Sequence, residues 1–211
     1  MTAVPLRLDR FYPIVPDSAW LARIAPLGIR TVQLRVKDQP DHVVREEIKT
    51  SLDIAQRFGI QLIVNDYWQQ AIDFGADFVH LGQEDLAAAN ISAIKAAGLK
   101  LGVSTHDDAE LVTALAVKPD YIALGPVYET KLKTMRWAPQ GLARVTAWKA
   151  AIGQVPLVAI GGITPERAPA VIEAGADSVA VITDFLTHPA PETRVRTWVA
   201  WASGLAGPSP R

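Results

Sequence analysis

Two acids, Asp66 and Asp85, offer the plainest route to chemistry in this chain. They lie in Val64-Asn65-Asp66 and in Leu81-Gly82-Gln83-Glu84-Asp85. Each stretch follows a short apolar run, Gln61–Val64 or Phe78–Leu81, and precedes a helical pattern, Tyr67–Phe74 or Leu86–Ala97. Two successive strands would then release both carboxylates at the same end, and neighbouring strands lie about 4.8 Å apart. Carboxylates so placed can share one hard cation such as Mg²⁺, which prefers carboxylate and phosphate oxygens. Either aspartate alone would equally serve as a helix N-cap, a role worth ~1 kcal/mol. Asn65 beside the first, and the Gly-Gln-Glu-Asp run around the second, exceed what a cap requires.

Cationic and polar groups surround these acids in the sequence. Gln33-Leu34-Arg35-Val36-Lys37 alternates at period 2, so Gln33, Arg35 and Lys37 share one side of an extended segment. An Arg and a Lys there form either a solvated strand edge or a charge-assisted clamp for phosphate oxygens, and the nearby acids favour the clamp. Ser104 closes the run Lys100–Ser104 and can donate to a phosphate, while Thr105-His106-Asp107-Asp108 has the spacing of a variant capping box. His80 and His106 have the chemistry of proton carriers, but a lone histidine is more often structural, and both are read that way. Gly125–Gln140 is long for a strand-to-helix turn and carries Thr130, Lys131, Lys133, Arg136 and Trp137, the makings of a lid over an anion. Gly161-Gly162 and Thr183-Asp184 follow the last two apolar runs, where barrels often bind phosphate through backbone N–H groups. Asp184 would repel that phosphate unless it turned away. The residues thus imply a metal-assisted polyphosphate site and a separate, metal-free phosphate site facing one mouth.

Positioning such groups needs a repeated strand–helix scaffold. Strands are predicted at Phe11–Val15, Thr31–Arg35, Gln61–Val64, Phe78–Leu81, Lys100–Ser104, Tyr121–Leu124, Pro156–Ile160 and Ser178–Ile182. Helices are predicted at Ser18–Leu27, Asp41–Phe58, Trp68–Phe74, Leu86–Ala97, Asp107–Val117, Gly141–Ala151, Arg167–Ala174 and Glu192–Ala202. Gly28, Gly59, Gly75, Gly98 and Gly175 each end a helix just before a strand, where a left-handed residue is wanted. Val-, Ile- and Leu-rich strands alternating with helices imply a parallel sheet covered on both faces. An open sheet would gather its ligands at one switch point, whereas here polar or glycine residues follow almost every strand. The expectation is a single-domain α/β fold, a (β/α)8 TIM barrel over residues 1–203, with a loose tail at 204–211.

With 49% hydrophobic residues the 211-residue chain can bury a large core. A net charge of −1 argues against a nucleic-acid or anionic-membrane surface, and the lack of cysteine excludes disulfides, thiolate metal sites and a Cys nucleophile. Met1–Arg10 has no apolar signal core, and no run nears the ~18 apolar residues of a membrane span. A cytoplasmic setting is expected. Oligomeric state stays open, since Trp20, Trp198 and Trp201 suit either a core or a subunit contact.

Several motifs together resemble a known family. Gln33-Leu-Arg-Val-Lys-Asp38, Val64-Asn-Asp-Tyr-Trp68, Val79-His-Leu-Gly-Gln-Glu-Asp-Leu86, Leu101-Gly-Val-Ser-Thr-His106, Ala138-Pro-Gln-Gly141 and Ala159-Ile-Gly-Gly-Ile163 are similar to bacterial thiamine-phosphate synthases, in order and spacing, from Phe11 to Ile182. The resemblance implies coupling of a hydroxymethylpyrimidine diphosphate to a thiazole phosphate, giving thiamine phosphate and pyrophosphate by dissociative substitution. It implies that Gln33 holds the pyrimidine, that Arg35, Lys37, Asn65, Ser104 and Lys133 hold the diphosphate, and that Asp66 and Asp85 carry one Mg²⁺. Thr130, Gly162, Ile182 and Thr183 would form the thiazole-phosphate site, the last three largely through backbone. Two departures touch that second site: Thr130-Lys131-Leu132-Lys133 lacks the family's second lid hydroxyl, which Lys131 would replace, and Thr183-Asp184 stands where Ser-Ala is usual. Rival readings are a paralogue resembling thiazole tautomerase, which would not need Asp66, Asp85 and Lys133 together, and a non-catalytic phosphometabolite-binding barrel.

Overall fold

Side chains that alternate along each strand must find burial on both sides, and a closed sheet provides it. The computed structural model describes residues 6, 8–129 and 138–204. Its strands are β1 (Phe11–Val15), β2 (Thr31–Leu34), β3 (Gln61–Asn65), β4 (Phe78–Leu81), β5 (Lys100–Thr105), β6 (Tyr121–Leu124), β7 (Leu157–Ile160) and β8 (Ser178–Val181). Each pairs in parallel with the next, and β8 pairs with β1, so the sheet is a closed barrel. Inward residues Tyr12, Ile14, Ile63, Phe78, Tyr121 and Val158 fill the lumen. Their outward neighbours, among them Phe11, Val32, Val64, Val103 and Val179, join the larger core beneath the helices. The (β/α)8 TIM barrel is therefore the architecture.

The helices are α1 (Ser18–Ile24), α2 (Asp41–Phe58), α3 (Trp68–Asp73), α4 (Gln83–Ala88), α5 (Ile91–Ala96), α6 (Asp108–Ala116), α7 (Gly141–Ile152), α8 (Ala168–Glu173), α9 (Thr183–Leu186) and α10 (Pro191–Ala202). Three differences from the predicted elements have local causes. The predicted Ser18–Leu27 helix tightens into a 3₁₀ turn at Ala25–Leu27, where Pro26 lacks an N–H for the α pattern. The predicted Leu86–Ala97 helix is two: Ala89 is extended, and Asn90 restarts the chain by accepting from Ala93 N at 3.0 Å. The four-residue α9 follows β8 directly and is too short to carry an apolar periodicity of its own, so no pattern predicts it.

Aromatic packing closes the outer layer. Trp198 is fully buried and stacks on Phe11, ring centroids 5.2 Å apart and planes 6° apart, while Trp201 meets it edge-on at 5.5 Å. Trp198 is thus core, and Trp20 and Trp201 are partly buried against the same cluster. Inside the lumen Gly102 is the register partner of both His80 and Tyr121. A Cβ at Gly102 would lie 2.0 Å from Tyr121 Cζ, so the tyrosine ring crosses the barrel through the space that a missing side chain leaves. Gly102→Ala should lower unfolding free energy by about 1–3 kcal/mol, the usual scale of core overpacking. An unchanged urea midpoint would refute this placement of the ring.

Candidate active site

The two acids stand where the strand order brings them. β3 and β4 are parallel neighbours with Asn65 opposite His80, and Asp66 follows β3 directly. Asp66 has φ +67°, a left-handed conformation that Asp tolerates better than most residues, and its N–H donates to His80 O at 2.9 Å. Neither acid is a helix cap: Tyr67 precedes α3, Gly82 caps α4, and Asp85 lies in the first turn of α4. The capping alternative therefore falls for both. The Asp66 carboxylate instead takes the Lys37 ammonium. Burial, then the like charge of Asp66 and a hydrogen bond with it, hold the Asp85 carboxyl above its ordinary range, with Lys37 pulling the other way. Such mutual influence requires both acids and the lysine to face one space.

That space suits a magnesium ion by its donor chemistry. Among the described residues no group of three or more His, Cys, Asp or Glu could form an all-protein cage. Mg²⁺ does not need one; it commonly takes one or two carboxylates and completes its shell with water and substrate phosphates.

Around the acids the rim is built from strand ends. β2 stops at Leu34, yet the alternation runs on: Gln33 is buried, Arg35 half-buried and Lys37 exposed. Arg35 is tied to β1 by its N–H to Val15 O at 2.8 Å, and its charge is felt by His80. Asn65 ends β3 at 6% exposure, and Ser104 lies near the end of β5. Gln83, at the start of α4, donates from Nε2 to Ser104 O at 2.6 Å, which braces the helix carrying Asp85 against β5. Gln33, Arg35, Lys37, Asn65, Asp66, Asp85 and Ser104 thus all gather at the C-terminal ends of β2 to β5.

Beneath them runs a buried polar chain, of which only Gln33, His80 and Ser104 stand out in the sequence. Gln33 Nε2 lies 2.9 Å from Tyr12 Oη, Tyr12 Oη 3.0 Å from Tyr121 Oη, and Tyr121 Oη 2.8 Å from His80 Nδ1. His80 Nε2 then reaches Ser104 Oγ at 2.8 Å. His80 is pushed down to about 4, chiefly by burial, with Asp66 opposing and Arg35 adding to the effect. Burial likewise pushes both tyrosines up. His80 is hydrogen-bonded at both ring nitrogens and neutral. The signal that could have revealed the two tyrosines is a polar aromatic at an inward position of an otherwise apolar strand.

His106 is structural, with Nδ1 2.7 Å from Glu110 Oε2. Thr105, however, caps nothing: Asp107 caps α6, and Glu110 Oε2 accepts from His106 N–H at 2.7 Å. Thr105 is instead buried, accepting from Trp148 Nε1 at 2.9 Å and donating to Ala123 O at 2.9 Å.

On the opposite side of the mouth, Gly161 and Gly162 have φ of 103° and 63°. The close approach they permit is to the chain after β6: a Cβ at Gly162 would meet Glu129 O at 2.3 Å, and one at Gly161 would meet Pro126 Cα at 2.6 Å. The Gly162 carbonyl accepts from Arg167 Nη1 at 2.7 Å. Ile182 precedes α9, and Thr183 is its first residue. Asp184 resolves the electrostatic objection to a phosphate here. Its carboxylate accepts from Arg194 Nε at 2.7 Å, Arg194 Nη2 at 2.8 Å and Trp198 Nε1 at 2.7 Å, so it faces α10 with its charge matched. Thr130, Lys131, Leu132, Lys133, Arg136 and Trp137 lie outside the described residues. The flanks of that segment meet, since Gln140 N–H donates to Pro126 O at 2.7 Å and Gly141 N–H to Val127 O at 3.0 Å. Because Arg194 neutralises a largely buried carboxylate, Arg194→Gln should cost about 2 kcal/mol of stability. A double-mutant cycle with Asp184→Asn should return a coupling of ~1 kcal/mol or more, and additivity would break the assignment.

Comparison with known proteins places the chain in a family. A family model described as thiamine monophosphate synthase matches residues 12–185. The thiamine-phosphate synthase of Rhizobium etli is 58% identical over 195 residues, covering 92% of this chain and 96% of that protein. That of Cronobacter sakazakii is 50% identical over 186 residues, 88% of each. Among solved structures, the thiamine phosphate pyrophosphorylase from Pyrococcus furiosus superposes with a TM-score of 0.80 at 25% identity, covering 94% of this chain and 97% of that one. With the family model spanning the barrel and relatives at half identity or more along most of its length, the chain belongs to the thiamine monophosphate synthase family.

Proposed function

We propose that this chain is a thiamine-phosphate synthase, a transferase. In this reading it condenses 4-amino-2-methyl-5-(diphosphooxymethyl)pyrimidine with 4-methyl-5-(2-phosphoethyl)thiazole, or its carboxylated form, to thiamine phosphate and pyrophosphate. Family membership supports the overall reaction. The observation that carries the mechanism is the convergence of Asp66, Asp85 and Lys37 on one space, with Asp85 held above the ordinary carboxylate range. Two acids and one lysine leave a negative balance that a divalent cation would correct.

Asp66 and Asp85 would hold one Mg²⁺ per subunit, which when bound supplies charge neutralisation to the departing diphosphate. Lys37 is half-exposed beside Asp66 and can turn to a diphosphate oxygen once a cation satisfies that acid. Arg35 offers a second cation, and Asn65 and Ser104 offer neutral hydrogen-bond donors at the neighbouring strand ends. Lys133 is assigned to the same diphosphate. Gln33, at the lumen side of β2, would hold the pyrimidine ring. The thiazole phosphate is assigned to Gly162, Ile182 and Thr183, together with Thr130 and Lys131 in place of a contact that Leu132 cannot make. With diphosphate leaving first, the thiazole nitrogen attacks the pyrimidine methylene cation, and no side chain serves as nucleophile. What the residues contribute is electrostatic: fixed charges where charge develops.

The partners in this reading are two phosphorylated small molecules, without nucleic acid or membrane, in a cytoplasmic setting. Among the described residues no helix is long and apolar enough to cross a membrane.

Incubation with both phosphorylated halves and Mg²⁺ should yield thiamine phosphate and an equivalent of pyrophosphate; isomerisation of a thiazole without pyrophosphate release would refute the assignment. Asp85→Ala should lower turnover by ~10²-fold or more, since stabilisers of developing charge are worth roughly 3 kcal/mol. Near-normal turnover of that variant at saturating Mg²⁺ would remove Asp85 from the site.

A further inference from the structure

The buried chain Gln33–Tyr12–Tyr121–His80–Ser104 joins the two groups assigned to opposite parts of one substrate. Gln33 is assigned to the pyrimidine and Ser104 to the diphosphate, so a coupling between them rests on the function proposed above. Four contacts of 2.8–3.0 Å link them without a gap. Tyr12 and Tyr121 are fully buried, Gln33 and His80 nearly so. Neither tyrosine hydroxyl can turn to bulk water for an alternative partner.

Such a chain has direction. A hydroxyl has one proton to give, and a neutral imidazole has one N–H. Fixing the donor at one end therefore fixes every donor along the line. With Gln33 Nε2 donating to Tyr12, Tyr12 must donate to Tyr121, and Tyr121 to His80 Nδ1. His80 then carries its proton on Nε2 and donates to Ser104 Oγ, which leaves the Ser104 O–H free to donate elsewhere. If the Gln33 amide is turned over, every donor reverses: His80 is protonated on Nδ1, and the Ser104 proton is consumed by Nε2.

The two directions present different surfaces to a ligand. The first leaves the Gln33 carbonyl oxygen as an acceptor and Ser104 as a donor. The second leaves the Gln33 NH₂ as a donor and Ser104 without a proton to offer. An aminopyrimidine diphosphate has a donating amine at one end and anionic, acceptor-only oxygens at the other, so it matches the first pattern at both ends.

We propose that Tyr12, Tyr121 and His80 are positioning residues forming a directional hydrogen-bond relay, which holds His80 as the Nε2–H tautomer and makes recognition of the amine at Gln33 and of the diphosphate at Ser104 a single event. None of the three need touch the substrate. The relay explains why two tyrosines cross a lumen that apolar side chains could fill, and why Gly102 leaves room for one of them.

The test is the tautomer of His80, read by long-range ¹H–¹⁵N NMR of histidine-labelled protein and assigned by the signal missing in His80→Gln. The chain has four histidines, so the spectrum is tractable. A protonated Nε2 and a bare Nδ1, with and without the pyrimidine diphosphate, are expected. The opposite tautomer, or a mixture that the ligand does not bias, overturns the relay. In steady-state kinetics Tyr121→Phe should raise KM for the pyrimidine diphosphate about tenfold, the loss of one buried hydrogen bond, and leave KM for the thiazole phosphate unchanged. In a Ser104→Ala background the same substitution should cost much less, and an undiminished cost would show that Tyr121 does not act through Ser104. The tautomer measurement needs no turnover, so failure to form thiamine phosphate would sink the proposed function without deciding the relay.

Discussion

Two carboxylates aimed at one space repel each other, and a single lysine does not cancel them. Burial first, and then the like charge of Asp66 and a hydrogen bond with it, hold the Asp85 carboxyl above its ordinary range. Asp66 and Asp85 persist in that arrangement because the surroundings give them no retreat. Asp66 is in a left-handed turn tied to β4 by its own N–H, and Asp85 rides on a helix braced to β5 through Gln83. The repulsion is built into the backbone, and the cation site proposed above rests on it.

Much of the barrel could be read from the sequence because its signals are local. The glycines at 28, 59, 75, 98 and 175 all take positive φ at helix ends, and the apolar runs all became strands within a residue or two of their expected limits. The shared location of Arg35, Lys37, Asp66 and Asp85 was legible for a related reason: strand ends in a parallel barrel lie at one mouth, so position in the chain already implies position in space. What stayed hidden was non-local. Nothing near Tyr12 in sequence announces Tyr121, and Thr105 has the spacing of a cap while its partner, Trp148, lies 43 residues away. α9 escaped because four residues carry no period.

Asp184 shows how a charge that looks hostile in one dimension becomes harmless in three. Along the chain, it sits beside the proposed thiazole-phosphate contacts. In space it is the outward residue of α9, held by the guanidinium of Arg194 and the indole of Trp198, and through Trp198 it is continuous with the aromatic packing on Phe11. Gly161 and Gly162 carry a parallel lesson, since part of what these glycines permit is the approach of the protein's own chain at Pro126–Glu129.

The meeting of Gly102 and Tyr121 also constrains how such a chain can drift. With 2.0 Å between the tyrosine ring and any added methyl, a side chain at position 102 carries an overpacking cost for as long as an aromatic occupies 121. The less costly order begins at 121 and reaches 102 afterwards, yet a smaller residue at 121 would strip His80 of one of its two ring partners in the interval. The two positions are therefore coupled in evolutionary order, with part of the cost of the first step falling on a neighbour that neither substitution alters.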